Sequence, residues 1–381
     1  MNFNYSIHHR FKEELAVVFQ TVLNTWQVES IGDFAIGVIK AESSRERQIA
    51  KQTICGELIE SAKRRLRRFK ANKKLTLEKL NSCFVRLTYW IVEAMMTNMR
   101  TSDKHHLLVD ETKLGDWLGA MVVGIAWESR CIPLAWRVYK ANDAQAYPEE
   151  GQVEIIREML VCVKEGLSWC DSRHKVVVMA DRGIGVSSNL CQAVDELGFS
   201  YLFRVNNQCT IKTPTGVHKI ASMVKEGETW GASGVIFPSK GNTSGHARAI
   251  WGKGYDEPWA LVTNDPSLNG PEYALRNWQE QSFRDLKSHG WQWEASRTFF
   301  PLYMARFMLI LVIAYAWTVA LGGQAVKAER AHPLQRHPDG HVRRHLSLFR
   351  EGLDFFIEVV ARENKYFRLE FIPDHRLRAP C

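Results

Sequence analysis

No Cys-x-x-C pair occurs in the chain, and its eight cysteines, at 55, 83, 131, 162, 170, 191, 209 and 381, keep no regular spacing. That excludes a zinc ribbon and a disulfide framework, and the thiols read as reduced residues of a cytoplasmic protein. The segment Met1 to Arg10 lacks an apolar core, so no export is expected. The most apolar run, Phe307 to Leu321 behind Arg306, is about 15 residues, short for a membrane span and suited to a buried helix, so no membrane partner is expected. Internal repeats and low-complexity tracts are absent. Beyond residue 100 there is almost no net charge. The formal total is +8, and residues 1–100 hold 17 Lys and Arg against 10 Asp and Glu, which places +7 there. Such asymmetry points to a polyanion-binding N-terminal part and a differently tasked remainder.

What is present suits two or three ordinary globular domains: 381 residues, of which 45% are hydrophobic and 24% charged. Apolar residues recur at helical spacing from Glu13 to Trp26 and from Leu77 to Met99, so the first hundred residues read as all-helical. Between these patterns stand Lys63, Arg64, Arg65, Arg67, Arg68, Lys70, Lys73 and Lys74. Eight cations in twelve residues favour a phosphate backbone, with Leu66 and Phe69 as anchors; a merely solvated basic helix is the alternative. No recognition-helix motif is found, so the pattern predicts affinity for DNA and not base specificity.

From Leu107 the pattern changes. Leu107–Thr112, Ala120–Trp127 and Cys131–Tyr139 read as three consecutive strands, Val153–Leu167 as a helix and Lys175–Asp181 as a strand buried on both faces. A helix over Ser187–Leu197 and a strand over Tyr201–Val205 follow. The order β-β-β-α-β-α-β is that of a ribonuclease-H-like α/β core, although other α/β sheets share it. Residues 206–270 read as a β-rich insertion of short hairpins, the last being Trp259–Thr263, and Leu302–Leu321 as a long buried helix. The expected organisation is a helical basic DNA-binding region over 1–104, a catalytic core over 105–205 and 271–322 interrupted by the insertion, and a helical tail over 323–381. Within the tail, Leu346–Glu358 is predicted to be amphipathic and the last residues loose.

The stretch Tyr273 to Lys287 contains neither Gly nor Pro and predicts one four-turn helix, opened by Pro271 and Glu272 and closed near Gly290. At about 100° per residue, Tyr273, Arg276, Glu280, Arg284 and Lys287 share a face, a carboxylate ringed by cations and a phenol. Asp110 and Asp181 each follow an apolar strand, and adjacent strands would bring them together. Crowded carboxylates need a cation, and with Glu280 as a third hard oxygen donor the set selects Mg²⁺ or Mn²⁺. Two ions about 4 Å apart would suit an in-line phosphoryl displacement.

Tyr273-x2-Arg276-x3-Glu280-x6-Lys287 matches the Y-(2)-R-(3)-E-(6)-K signature, so residues 100–321 resemble the insertion sequence 4 family of bacterial DDE transposases. Val109-Asp110-Glu111-Thr112 and Ala180-Asp181-Arg182-Gly183 resemble that family's first two acidic motifs. The resemblance implies that Asp110, Asp181 and Glu280 are catalytic metal ligands and that Tyr273, Arg276 and Lys287 hold phosphates of the transposon end. It implies a Trp259 that stacks on a flipped base, and a homodimer acting on paired terminal repeats before strand transfer into target DNA, with a hairpin intermediate in some members. Arg284 shares the helix face but lies outside the signature. A ribonuclease-H-like nuclease or resolvase that cuts without joining, and a non-catalytic repressor derived from a transposase, are the alternatives.

Overall fold

A computed structural model describes residues 6–53, 58–100, 103–143, 147–170, 174–239 and 241–377. The chain opens with α1 (Ile7–Phe19), α2 (Thr25–Ala41), α3 (Glu46–Gln52), α4 (Ile59–Lys70) and α5 (Leu77–Met96). The pattern from Glu13 to Trp26 spans two helices and not one. Asn24 and Gln27 form a reciprocal capping box that starts α2 afresh, and Trp26 at its first turn is left largely outside the core. Apolar spacing continues across the break, so periodicity alone cannot see it.

An antiparallel meander follows, β1 (His105–Leu114), β2 (Leu118–Trp127) and β3 (Arg130–Lys140), then α6 (Gly151–Ser168), β4 (Val176–Ala180), α7 (Ser188–Glu196) and β5 (Ser200–Arg204). Ser187 caps α7 by accepting the Leu190 N–H. Next come β6 (Thr210–Thr213), β7 (Gly216–Lys219), β8 (Thr229–Ile236), β9 (Thr243–Ile250) and β10 (Trp259–Thr263). All ten strands belong to one mixed sheet of order β3-β2-β1-β4-β5-β10-β9-β8-β6-β7. Strands β1, β4 and β5 run parallel, and β10 pairs antiparallel with β5. The segment 206–270 is therefore β-rich as expected, but its strands extend the sheet that carries the site.

The last third contains α8 (Asn277–Leu286), α9 (Pro301–Lys327), a small hairpin of β11 (Leu334–Arg336) and β12 (Val342–Arg344), and α10 (Leu348–Phe355). By length and composition α9 could cross a membrane, yet its whole apolar window is buried inside the protein. It packs between the N-terminal helices and β3. One hydrophobic cluster runs from Ile7 in α1 through α9 to Phe371, so the helices of the first hundred residues share a core with the sheet. Buried Arg306 of α9 donates to Lys70 O and Leu75 O, each at 2.8 Å, and so satisfies carbonyls at and beyond the end of α4.

The tail is not purely helical. It includes the hairpin, and α10 continues into a π turn over Phe356–Ala361. Helix α10 crosses α9 so closely that a Cβ on Gly352 would stand 1.8 Å from Thr318 O, a separation only glycine permits. Phe371 and Asp374 are buried, the latter held by Arg344 and Arg376; residues 378–381 lie outside the described residues. Cys83, Cys131, Cys162, Cys170, Cys191 and Cys209 are free and buried, while Cys55 and Cys381 also lie outside the described residues.

Candidate active site

Strand register places the first two acids. Val109 pairs with Ala180 across parallel β1 and β4, and Ala180 pairs with Phe203 on β5, so the next residues, Asp110, Asp181 and Arg204, form a row across three strands. Side chains alternate along a strand, which puts this row on the face of Leu108, Met179, Leu202 and Leu261, the small apolar cluster that also contains Tyr273. Asp110 does not end its strand. β1 continues to Leu114 because it stays paired with β2; what ends beside Asp110 is β4. Asp181 then caps a 3₁₀ turn, its Oδ1 accepting the Arg182 N–H at 2.7 Å.

The stretch over Tyr273 to Lys287 is not a single α-helix. Behind Gly270 (φ 108°), Pro271–Arg276 form a 3₁₀ segment, and only Asn277–Leu286 are α-helical. In a 3₁₀ segment residues three apart eclipse, so Tyr273 and Arg276 stack over the acids. The Tyr273 O–H donates to Asp181 Oδ1 at 3.2 Å. Arg276 Nη2 lies 2.9 Å from Asp110 Oδ2 and 3.4 Å from Asp181 Oδ2, while its Nη1 donates to Glu280 Oε1. Three acids distant in sequence thus converge on one guanidinium.

The expected ring of cations is not what forms. Lys287 leaves the helix with φ −97° and ψ −127°, and its ammonium lies 3.8 Å from Glu294. Arg284 is exposed, with no ion pair to the acids. The change of helix type alters the phase of the wheel, which a constant angle per residue cannot reproduce. Trp259 is half-buried with its ring against Tyr273, 5.2 Å between centroids at 72°. Trp278 packs partly against the same cluster.

Burial pushes the Asp110 carboxyl up to about 6; Arg276 opposes this, and Asp181 and Glu280 reinforce it. Burial works against charge on Arg276 as well, but Asp110 and Asp181 hold it protonated. Burial and neighbouring Asp181 raise the Tyr273 phenol, which keeps it a donor.

Three polar side chains on the buried side of α8 fix its height above the sheet, and sequence reasoning missed them. Gln279 Nε2 donates to Val122 O at 3.1 Å, Ser282 Oγ accepts the Cys131 N–H at 2.7 Å, and Asp285 receives Arg130 at 2.5 Å and the Tyr315 O–H at 3.1 Å. Their three-residue spacing was the available signal.

The basic helix α4 is partly neutralised. Lys63 pairs with Glu60, Arg65 with Asp33, and Arg67 and Lys70 with Glu46. Leu66 and Phe69 are buried anchors, as their spacing predicts. Arg64 and Arg68, with Lys73 and Lys74, stay exposed without an ion pair among the described residues, leaving a smaller basic surface than the eight cations suggest.

No protein-family model matches the chain, and no curated protein matches it. Among solved structures it is similar to endonuclease V from Bacillus subtilis, at 12% identity over 63% of this chain and 93% of that one, with a TM-score of 0.24. A likeness that slight carries no argument about fold or chemistry.

The donor set of Asp110, Asp181 and Glu280 is three hard carboxylates, the chemistry that suits Mg²⁺ or Mn²⁺ and not zinc. Their crowding already draws in a cation, Arg276. As arranged, no three His, Cys, Asp or Glu side chains among the described residues form a ready metal cluster. The residues fit the ion on condition that Arg276 withdraws from between them.

Proposed function

We propose that this chain is a DDE-type DNA transposase with a ribonuclease-H-like core, which cleaves DNA at the terminal repeats of its element and joins the freed 3′ ends to target DNA. The observation that carries the reading is the convergence of Asp110, Asp181 and Glu280 around Arg276, with Tyr273 on Asp181, where β4 ends beside the middle of parallel β1. The order β3-β2-β1-β4-β5, with β2 antiparallel to β1, supports the ribonuclease-H-like assignment.

Asp110, Asp181 and Glu280 would hold Mg²⁺ or Mn²⁺, one or two ions, whose contribution is to polarise a phosphodiester and lower the pKa of an attacking water or 3′-hydroxyl. The chain's own groups bind and orient. Tyr273 keeps Asp181 in one rotamer, Gln279, Ser282 and Asp285 keep α8 at its distance from the sheet, and Arg276 is released toward the phosphates as the carboxylates are neutralised. Trp259 beside Tyr273 offers an aromatic face to an extruded base.

The deciding experiment incubates the protein with Mg²⁺ and DNA bearing the repeats that flank its coding region, and resolves nicked, hairpin and joined products. Joined product supports transposition. Nicking without joining assigns a nuclease or resolvase, and binding without cleavage a repressor.

Arg276→Gln removes the resident counter-cation. It is expected to raise Mn²⁺ affinity, read by titration calorimetry, by about tenfold, equivalent to about 1.4 kcal/mol, while lowering DNA cleavage. Unchanged or weaker Mn²⁺ binding would show that the guanidinium does not compete for the carboxylates.

A further inference from the structure

On the face of the sheet that bears the acids, two guanidiniums and an amide close on a single carboxylate. Glu257, in the link between β9 and β10, receives Arg182 at 2.9 Å on Oε1 and 3.1 Å on Oε2, Arg204 at 2.7 Å on Oε1, and Asn207 Nδ2 at 3.0 Å on Oε2. Both arginines are tied to the catalytic row: Arg182 follows Asp181 directly, and Arg204 stands next to Asp181 in strand register.

Two features mark this as an anion site with a temporary occupant. One donor of the cluster is left over, since Arg204 Nε is buried with no hydrogen-bond partner. The non-bridging oxygens of a phosphodiester, set tetrahedrally and farther apart than those of a carboxylate, would reach the donor that Glu257 leaves over. Glu257 is also poorly fastened for a purely structural tie. Its side chain is 36% exposed, against 15% for Arg204, and it sits on an irregular link containing Gly252 and Gly254 (φ 79°), so it can swing to solvent with little burial lost.

We propose that Arg182, Arg204 and Asn207 form a phosphodiester seat beside the catalytic acids, occupied in the DNA-free protein by the Glu257 carboxylate and claimed by a DNA phosphate that displaces it. The seat deepens the proposed DNA phosphoryl transfer and rests on it for the identity of the anion. It positions a strand across the acids from the side opposite α8, and Glu257 acts as a self-inhibitory placeholder that keeps stray anions out.

The test uses the full chain with two probes, inorganic phosphate and a short DNA duplex, in EDTA so that no strand is cut. Glu257→Gln is expected to bind both probes about three- to tenfold more tightly. Arg204→Gln is expected to weaken DNA binding about tenfold and to reduce the slope of log K against log salt by about one. Placed on an Arg182→Gln/Arg204→Gln background, Glu257→Gln should change neither affinity. Tighter phosphate binding by Glu257→Gln without any DNA binding keeps the seat and removes the DNA reading. Unchanged or weaker phosphate binding overturns the seat, whether or not the chain binds DNA. If Glu257→Gln does not fold, Glu257→Asp, too short to span both arginines, reads the same gain or its absence.

Discussion

Asp181→Asn is expected to lower Mg²⁺-dependent cleavage of end DNA by about 10³-fold or more, with the folded structure intact. The substitution keeps size and the ability to accept from the Arg182 N–H and the Tyr273 O–H, but removes the charge that a divalent ion needs from its ligand. Loss of several kcal/mol of charge stabilisation in the transition state corresponds to about that factor. Asp110→Asn and Glu280→Gln should do the same. Stability separates this role from a structural one. Asp110 is pushed up to about 6 by burial and by its neighbouring acids, so its ionised form is held at a cost in the folded chain. Asp110→Asn is therefore expected to leave the melting temperature unchanged or higher while activity is lost. Full Mg²⁺-dependent cleavage by Asp181→Asn would sink the catalytic assignment.

Asp285→Ala should destabilise the chain by about 3–5 kcal/mol in urea denaturation, because it strands a buried arginine. Arg130 and Asp285 have side chains 11% and 8% exposed and lie 2.5 Å apart, and Tyr315 of α9 donates to the same carboxylate. Removing the acid leaves the guanidinium with only the Ser129 carbonyl and takes from the Tyr315 phenol the carboxylate it donates to. The consequence reaches the site, since this pair joins α8 to the start of β3 and so sets how far Glu280 stands from Asp110 and Asp181. Replacing both partners together, as Arg130→Met/Asp285→Leu, should recover much of the loss, because a buried ion pair is costly to break and cheap to replace by apolar groups. A loss below about 1 kcal/mol for Asp285→Ala would show that the Arg130–Asp285 pair does not hold α8 in place.

Both effects depend on partners far apart in the chain. Asp110 and Arg276 are separated by 166 positions, and Arg130 and Asp285 by 155. Asp285 illustrates the limit of local reading: on a helical wheel it is a carboxylate off the signature face, and nothing near it announces Arg130. The same holds for α4. The six cations of α4 and the two just past it were visible as a charge run, but Asp33 and Glu46, which neutralise Arg65, Arg67 and Lys70, lie on α2 and α3. Strand identities were more legible. Trp259–Thr263 is found with its expected bounds because apolar runs bounded by turns report strands directly, whereas the two acids lie beside each other through the parallel register of β1 and β4.

By itself the sequence determined most of the succession of helices and strands, an acid in each of two apolar strand regions and the spaced Tyr, Arg, Glu and Lys of the later segment. These are local properties, written as periodicity, caps and composition. Only the tertiary structure decided that Pro271–Arg276 is 3₁₀, that Arg276 alone among the signature cations sits between the acids, that Lys287 turns to Glu294, and that Arg204 joins the row of Asp110 and Asp181. Which charge meets which depends on sheet register and helix phase, and those are set by packing of the whole core and not by neighbours in the chain.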